Sequence, residues 1–403
     1  MLKKVEYEQA MALLAGLPVR PRTETVPLEA ALGRNLAEDI RAAFPMPPFD
    51  KSPFDGYAFR AQDAPGTLKV CGESVTGCEE LPPLTPGTAM RIFTGAPVPE
   101  GADAVVKQEE TEAVGDAVRI PVRFCPGFNV IRRGEDYPEG AVLLTAGTRL
   151  GPAQLGTLAS QGLDAIPVYQ KPKALFLSTG TELSEPGQPR RRYGIYNSSY
   201  YSLSGYLRMM GFDVARGGTL ADDLAGISGR IREGLESDAD LVVTTGGASV
   251  GDYDFAMRAA RALDMEILFW KVRAKPGGAL LAAWNGDKLL LSLSGNPAAA
   301  MMSLLVVAQP YLRRLAGSNV GNEQLELPLL NGLTKRSRSV RMLRGHAAIR
   351  DGVTWFEENP GRGNGNIASF GNCDMIGIIP GGSEPLPEGA AIRVLRLPPD
   401  LRD

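Results

Sequence analysis

Lys288–Val307 reads KLLLSLSGNPAAAMMSLLVV. Leu289–Leu293, four leucines and Ser292, reads as a strand buried on both faces. Ser294-Gly295-Asn296-Pro297 breaks it, and an apolar run of helical length restarts at once. Asn favours the N-cap and Pro the first helical position, so the spacing predicts a helix over Pro297–Leu315. A strand that turns sharply into a helix leaves free N–H groups and a positive dipole end facing a crevice, a ready anion site.

The same alternation extends upstream. Ala174–Leu177 reads as a short buried strand, Ser198–Met210 as a helix and Asp213–Ala215 as a strand. A helix over Asp222–Glu236 and the strand Leu241–Thr245 follow, then a Gly-rich loop, a helix, and the strands ILFWKV and KLLLSLSG. Strand and helix in alternation predict a parallel α/β sheet. Before it, Phe44–Arg60 is Pro-rich, and short β-like runs fill residues 46–140. Helices are expected near the N-terminus, around Leu28–Ala37 and over 150–162. Four divisions follow: 1–45 with 141–170 helical, 46–140 β-rich and inserted, 171–317 α/β, and 318–403 a small C-terminal β domain.

Composition narrows the chemistry. The 403 residues exceed one ordinary core, and 44% hydrophobic with 22% charged residues is usual for a globular protein. A net charge of −3 leaves no basic footprint for nucleic acid. No apolar stretch is long enough to span a bilayer, so a cytoplasmic location is expected. Four scattered cysteines without a C-x-x-C pair argue against a zinc site. His346 is the single histidine, so chemistry must rest on carboxylates, lysines, arginines and backbone amides.

Ligands of open parallel sheets bind beyond the carboxyl ends of the strands. Four such ends carry Glu182, Asp222, the group Gly246, Gly247, Ser249 and Asp254, and Asn296-Pro297. Together they suit a phosphate-bearing ligand. Acids beside a phosphate call for a cation between them, and Mg²⁺ prefers carboxylate plus phosphate oxygens. Asp222 reads equally as an N-cap, and Lys271 and Lys275 as an oxyanion pair or as two solvated side chains. In the β-rich segment Asp55 precedes a Gly turn, and Arg132, Arg133, Glu135 and Asp136 cluster; each alone reads as an ordinary charged loop.

The motifs DGYAFR, TGAPVPEGADAVVKQEET, RRGED, STGTEL, GGASVGDYD, FWKVRAKPG and GNP occur in one order. In this the chain resembles the molybdopterin molybdenumtransferase (MoeA) family, which includes the E domain of gephyrin. The resemblance runs from about residue 5 to 397. It implies an elongated four-domain subunit, a homodimer, and an α/β third domain like that of molybdopterin adenylyltransferases. It implies insertion of molybdenum from molybdate into adenylylated molybdopterin, with a divalent cation and release of AMP. It places Asp55, Thr94 and Asp136 on one wall of a cleft shared between subunits. Glu182, Asp222, Asp254, Lys271, Lys275, Asn296 and Pro297 fall on the other, with Glu182 and Asp254 as Mg²⁺ ligands and Arg344 a molybdate contact. Implied partners are a second copy, small-molecule substrates and, as a candidate, the molybdopterin adenylyltransferase.

The chain departs from the family pattern at Phe54, Thr181, Gly278, Ser294 and Asn364, where Met, Asp, Lys, Pro and Ser are common. Gly278→Lys is therefore expected to lower the molybdate requirement, unless a neighbour such as Arg273 fills the gap. Two other readings stay open: an adenylyltransferase acting on molybdopterin, and a non-catalytic scaffold or cofactor-binding paralogue.

Overall fold

The computed structural model describes residues 4–246, 255–361, 363 and 365–401. Two compact units divide the chain. One is Met1–Glu38, Gly147–Pro152 and Ala165–Asp403; the other is Asp39–Ala146 with Ala153–Asp164.

The first unit is built on a six-stranded sheet, ordered 213–220, 173–179, 241–245, 289–293, 280–284, 266–270. Its first four strands are parallel. Strand 280–284 runs antiparallel to both its neighbours, so 266–270 shares the direction of the first four. The reason is local: Trp284 and Leu289 are joined through the four residues Asn285-Gly286-Asp287-Lys288, with Gly286 at φ +96°. So short a link makes a hairpin, since a parallel crossover needs a dozen or more residues.

Leu241–Thr245 and Leu289–Leu293 are buried at every position. Their alternate side chains enter two cores. Leu241, Val243, Leu289 and Leu291 pack with Met301, Met302 and Leu305 on one face. Val242 and Leu290 pack with Ile227, Ile231 and Phe255 on the other. Full burial of one such side chain contributes about 1.5–3 kcal/mol.

The helices are Ser198–Met209, Leu224–Glu236, Phe255–Ala262 and the run from Pro297 to Leu315. That run widens into a π turn over Ser303–Ala308 before Pro310. A proline inside a regular helix clashes with the carbonyl four residues back, and the wider turn accommodates it. The strand expected over Asp213–Ala215 is longer than its sequence suggests. It continues past Ala215 to Leu220 through Gly217, where a Cβ would lie 2.2 Å from Leu177 Cδ2.

Helix Tyr7–Ala15 and the antiparallel pair Thr23–Pro27 with Ala165–Tyr169 belong to the same unit. The helix expected over Leu28–Ala37 reduces to a single 3₁₀ turn, Leu28–Ala30. Gly33 turns at φ +73°, and Asn35 and Leu36 bridge to Arg149 and Val168, so tertiary pairing overrides the local preference. A mixed C-terminal sheet of Ala274–Lys275, Val340–Arg350, Met375–Ile379, Ala391–Arg396 and Glu323–Pro328 carries Val353–Glu358 alongside.

The second unit holds a six-stranded sheet ordered 104–107, 56–59, 88–92, 66–74, 117–120, 112–114. Phe59, Leu68, Val106, Val118 and Ile120 form its core. The helix Pro152–Ser160 joins this unit from Ala153 onward. Among the described residues, no helix is long and apolar enough to cross a membrane.

Candidate functional site

A cleft of about 640 Å³ opens beyond the carboxyl ends of the parallel strands. Thr179, Gly180, Glu182, Asp222 and Gly246 line it from three strand ends. Ser294, Gly295, Asn296 and Pro297 close it from the fourth. The sheet order makes this a topological switch point, because the chain leaves 173–179 first to one side and then to the other.

Glycines shape the floor. Gly246 has φ +86°, and a Cβ there would lie 2.3 Å from the Thr179 carbonyl oxygen. Gly295 packs against Gly246, its virtual Cβ 3.5 Å from the Gly246 Cα. Thr179 Oγ1 donates to the Thr245 carbonyl at 2.9 Å and locks the two strand ends together. Asn296 takes the N-cap position with Pro297 as first helical residue, yet its side chain makes no capping bond. Ser294 Oγ instead accepts from the Asn296 N–H at 3.2 Å.

The two described carboxylates of the cleft are exposed. Glu182 folds back over Gly180, where a Cβ would be 2.7 Å from Glu182 Oε2. Asp222 is not the helix cap: Asp223 accepts from the Gly226 N–H at 2.7 Å and opens the helix. The Asp222 carboxylate is thereby released toward Thr181, whose N–H and hydroxyl donate to it at 3.3 and 3.4 Å. Among the described residues, no group of three acidic, Cys or His side chains is arranged to hold a metal. Gly247, Ser249 and Asp254 lie outside the described residues, as does Asn364.

The basic candidates stand off this lining. Lys271 is half-buried at φ +77°, with its ammonium 4.2 Å from the Trp270 ring. Lys275 is exposed on the short strand beside Val340 and Arg341. Arg344 is buried and donates to the carbonyls of Gly361 and Gly363 at 3.2 and 3.4 Å. Burial pulls its guanidinium below the usual arginine range. Gly365, from the loop that Arg344 supports, does line the cleft.

In the second unit, Asp55 and Thr94 form a pair. Asp55 Oδ1 accepts from the Thr94 N–H at 2.8 Å and its hydroxyl at 2.7 Å. These bonds, the backbone one foremost, hold the exposed carboxyl below the ordinary range. Asp136 is exposed on a turn fixed by its N–H to the Met46 carbonyl, 2.9 Å.

Sequence reasoning missed Ile195, Tyr196, Ser198 and Ala279 in the cleft wall. Tyr196 and Ile195 arrive on a strap that returns through a two-residue parallel pairing with Leu183-Ser184. A pairing that short has no periodicity to detect. Asn197 before an apolar-periodic run was the available signal.

Residues 5–162 match a family model described as the MoeA N-terminal region (domain I and II). Residues 175–314 match a probable molybdopterin binding domain. A molybdopterin molybdenumtransferase of Bacillus subtilis (strain 168) is 32% identical over 98% of this chain and 95% of its own length. One from Staphylococcus aureus (strain Mu50 / ATCC 700699) is 30% identical over 92% and 90%. The crystal structure of a molybdopterin biosynthesis MoeA protein from Pyrococcus horikosii superposes with a TM-score of 0.84 at 29% identity, covering 98% of this chain and 99% of that one.

Proposed function

The chain belongs to the molybdopterin molybdenumtransferase (MoeA) family, and on that premise we propose that it inserts molybdenum from molybdate into adenylylated molybdopterin with release of AMP. It is a transferase of molybdenum cofactor biosynthesis. The observation that carries the finer reading is the cleft at the strand ends. Two exposed carboxylates, Glu182 and Asp222, share it with a helix start at Asn296-Pro297. The helix start offers N–H groups to an anion. The carboxylates would suit a divalent cation beside the ligand's phosphate.

Mg²⁺ fits this donor set, because it is typically held by one or two carboxylates with phosphate oxygens completing its shell. Glu182, with Asp222 beside it, would hold the ion, and Asp254 is the further ligand in this reading. When bound, Mg²⁺ neutralises charge on the phosphate oxygens. The side chains hold and orient: Thr181 fixes Asp222, Gly246 lets the ligand approach the backbone, and Tyr196 forms a wall. Asp55, Thr94 and Asp136 are assigned to a substrate-facing surface. Lys271, Lys275 and Arg344 are assigned to the molybdate oxyanion. Homodimeric assembly, cytoplasmic location and a working association with the molybdopterin adenylyltransferase complete the reading.

The test is incubation with adenylylated molybdopterin, Mg²⁺ and molybdate. AMP release that depends on molybdate is expected. AMP transfer from ATP to molybdopterin would instead favour the adenylyltransferase reading, and binding without turnover the scaffold reading.

A further inference from the structure

We infer that Arg191, on the strap 185–197, is the cation that binds the phosphate of the nucleotide-linked ligand at the Thr181 end of the cleft. The inference rests on the functional reading above. The charged side chains of the described lining are Glu182 and Asp222, both acids. An anionic ligand there needs a cation, and none of the basic sequence candidates, Lys275 included, lies in this lining. Arg273 pairs with Glu6 at 3.0 Å. Arg344 donates to the carbonyls of its own loop, and Lys271 lies against the Trp270 ring. Gly278 stands where the family commonly has lysine. A Cβ on it would sit 2.5 Å from the Ala274 carbonyl oxygen.

The strap carries Arg190-Arg191-Arg192, and the three side chains do different things. Arg190 folds the strap on itself, donating to the Gly194 carbonyl at 2.7 Å. Arg192 lies over the Tyr193 ring, 5.2 Å from its centroid. Arg191 turns toward the cleft rim, and its Nη1 donates to the Thr181 carbonyl at 2.7 Å. Thr181 is the residue that grips Asp222, and its chain neighbour is Glu182. Among the described residues, Arg191 pairs with no carboxylate. One of its five N–H groups is used in that bond, and the rest of the fork is free for a phosphate.

The strap is fixed in place. The Ile195 N–H donates to the Glu182 carbonyl at 3.0 Å, and the Asn197 N–H to the Ser184 carbonyl at 2.9 Å. Gly194 permits the approach: a Cβ there would be 2.7 Å from the Glu182 carbonyl oxygen and 3.2 Å from Arg191 Cβ. The strap that carries Arg191 is therefore fixed by backbone bonds that do not depend on the guanidinium, which reaches the Thr181 carbonyl.

The probe is AMP, titrated calorimetrically with Mg²⁺ present at several salt concentrations, against wild type, Arg191→Ala, Arg191→Lys and Arg192→Ala. Arg191→Ala is expected to weaken AMP roughly ten- to a hundredfold and to flatten the salt dependence. Arg191→Lys should recover part of the affinity, and Arg192→Ala should match wild type. Wild-type affinity in Arg191→Ala overturns the inference and leaves the functional reading standing. So does a loss that keeps the wild-type salt dependence and is not rescued by lysine, because that marks a loosened strap. Failure of the wild-type protein to bind AMP removes both.

Discussion

At the scale of single residues, Gly246 and Glu182 carry the cleft. Gly246 combines φ +86° with a virtual Cβ 2.3 Å from Thr179 O, so it lacks room as well as handedness for a side chain. Gly246→Ala is expected to lose at least about 1–2 kcal/mol in urea denaturation, and AMP binding with it. Gly278 reverses the expectation drawn from its family position. With backbone oxygens of Ala274 and Val272 at 2.5 and 2.8 Å from a virtual Cβ, Gly278→Lys must displace the loop before it can add charge. A lower melting temperature, not a lower molybdate requirement, is the expected outcome. Glu182→Gln keeps the shape of an exposed side chain and removes the charge. AMP release should fall at least about tenfold with the melting curve unchanged; full activity would remove Glu182 from the mechanism. Thr94→Val deletes one of the two bonds that depress Asp55, so the Asp55 carboxyl should titrate higher, observable by NMR.

At the scale of elements, Asn197 joins the helix Ser198–Met209 to two strands. Its Oδ1 accepts from the Tyr200 N–H at 3.2 Å. Its Nδ2 donates to Ser178 Oγ at 2.9 Å and Thr219 Oγ1 at 3.1 Å. Asn197→Ala should cost about 0.5–2 kcal/mol for the cap alone, with more from the buried Ser178 hydroxyl left short of a partner. Glu185 closes the same network. Burial works against its charge, but hydrogen bonds from Thr219, Arg216 and Asn197 outweigh it and hold the carboxyl below its usual range. A depressed folded-state pKa stabilises above the unfolded value, ~4.3, and that contribution disappears as pH falls through the folded value. The stability gap between wild type and Glu185→Gln should therefore narrow below about pH 4, measured by denaturation at several pH values.

At the scale of the molecule, the two compact units each hold their own core. Calorimetry should show more than one transition, because units with separate cores need not unfold together. The functional reading adds a second copy: light scattering at micromolar concentration should give twice the chain mass. A monomer with full activity would remove the dimer from the mechanism.

The sequence by itself determined the order of strands and helices, the strand–turn–helix at Ser294–Pro297 and the acids at the strand ends. These depend on local preferences: apolar runs, caps and breakers act within a few residues. It did not determine that 280–293 folds as a hairpin against the parallel strands, nor that Leu28–Ala37 forms one turn instead of a helix. Pairing partners far along the chain decided both. Tertiary structure also decided which charges meet. Asp223 takes the cap and frees Asp222, Arg344 turns to its own loop, and the strap brings Arg191 beside Thr181. Side-chain direction depends on every neighbour that packs around it, and those neighbours are distant in sequence.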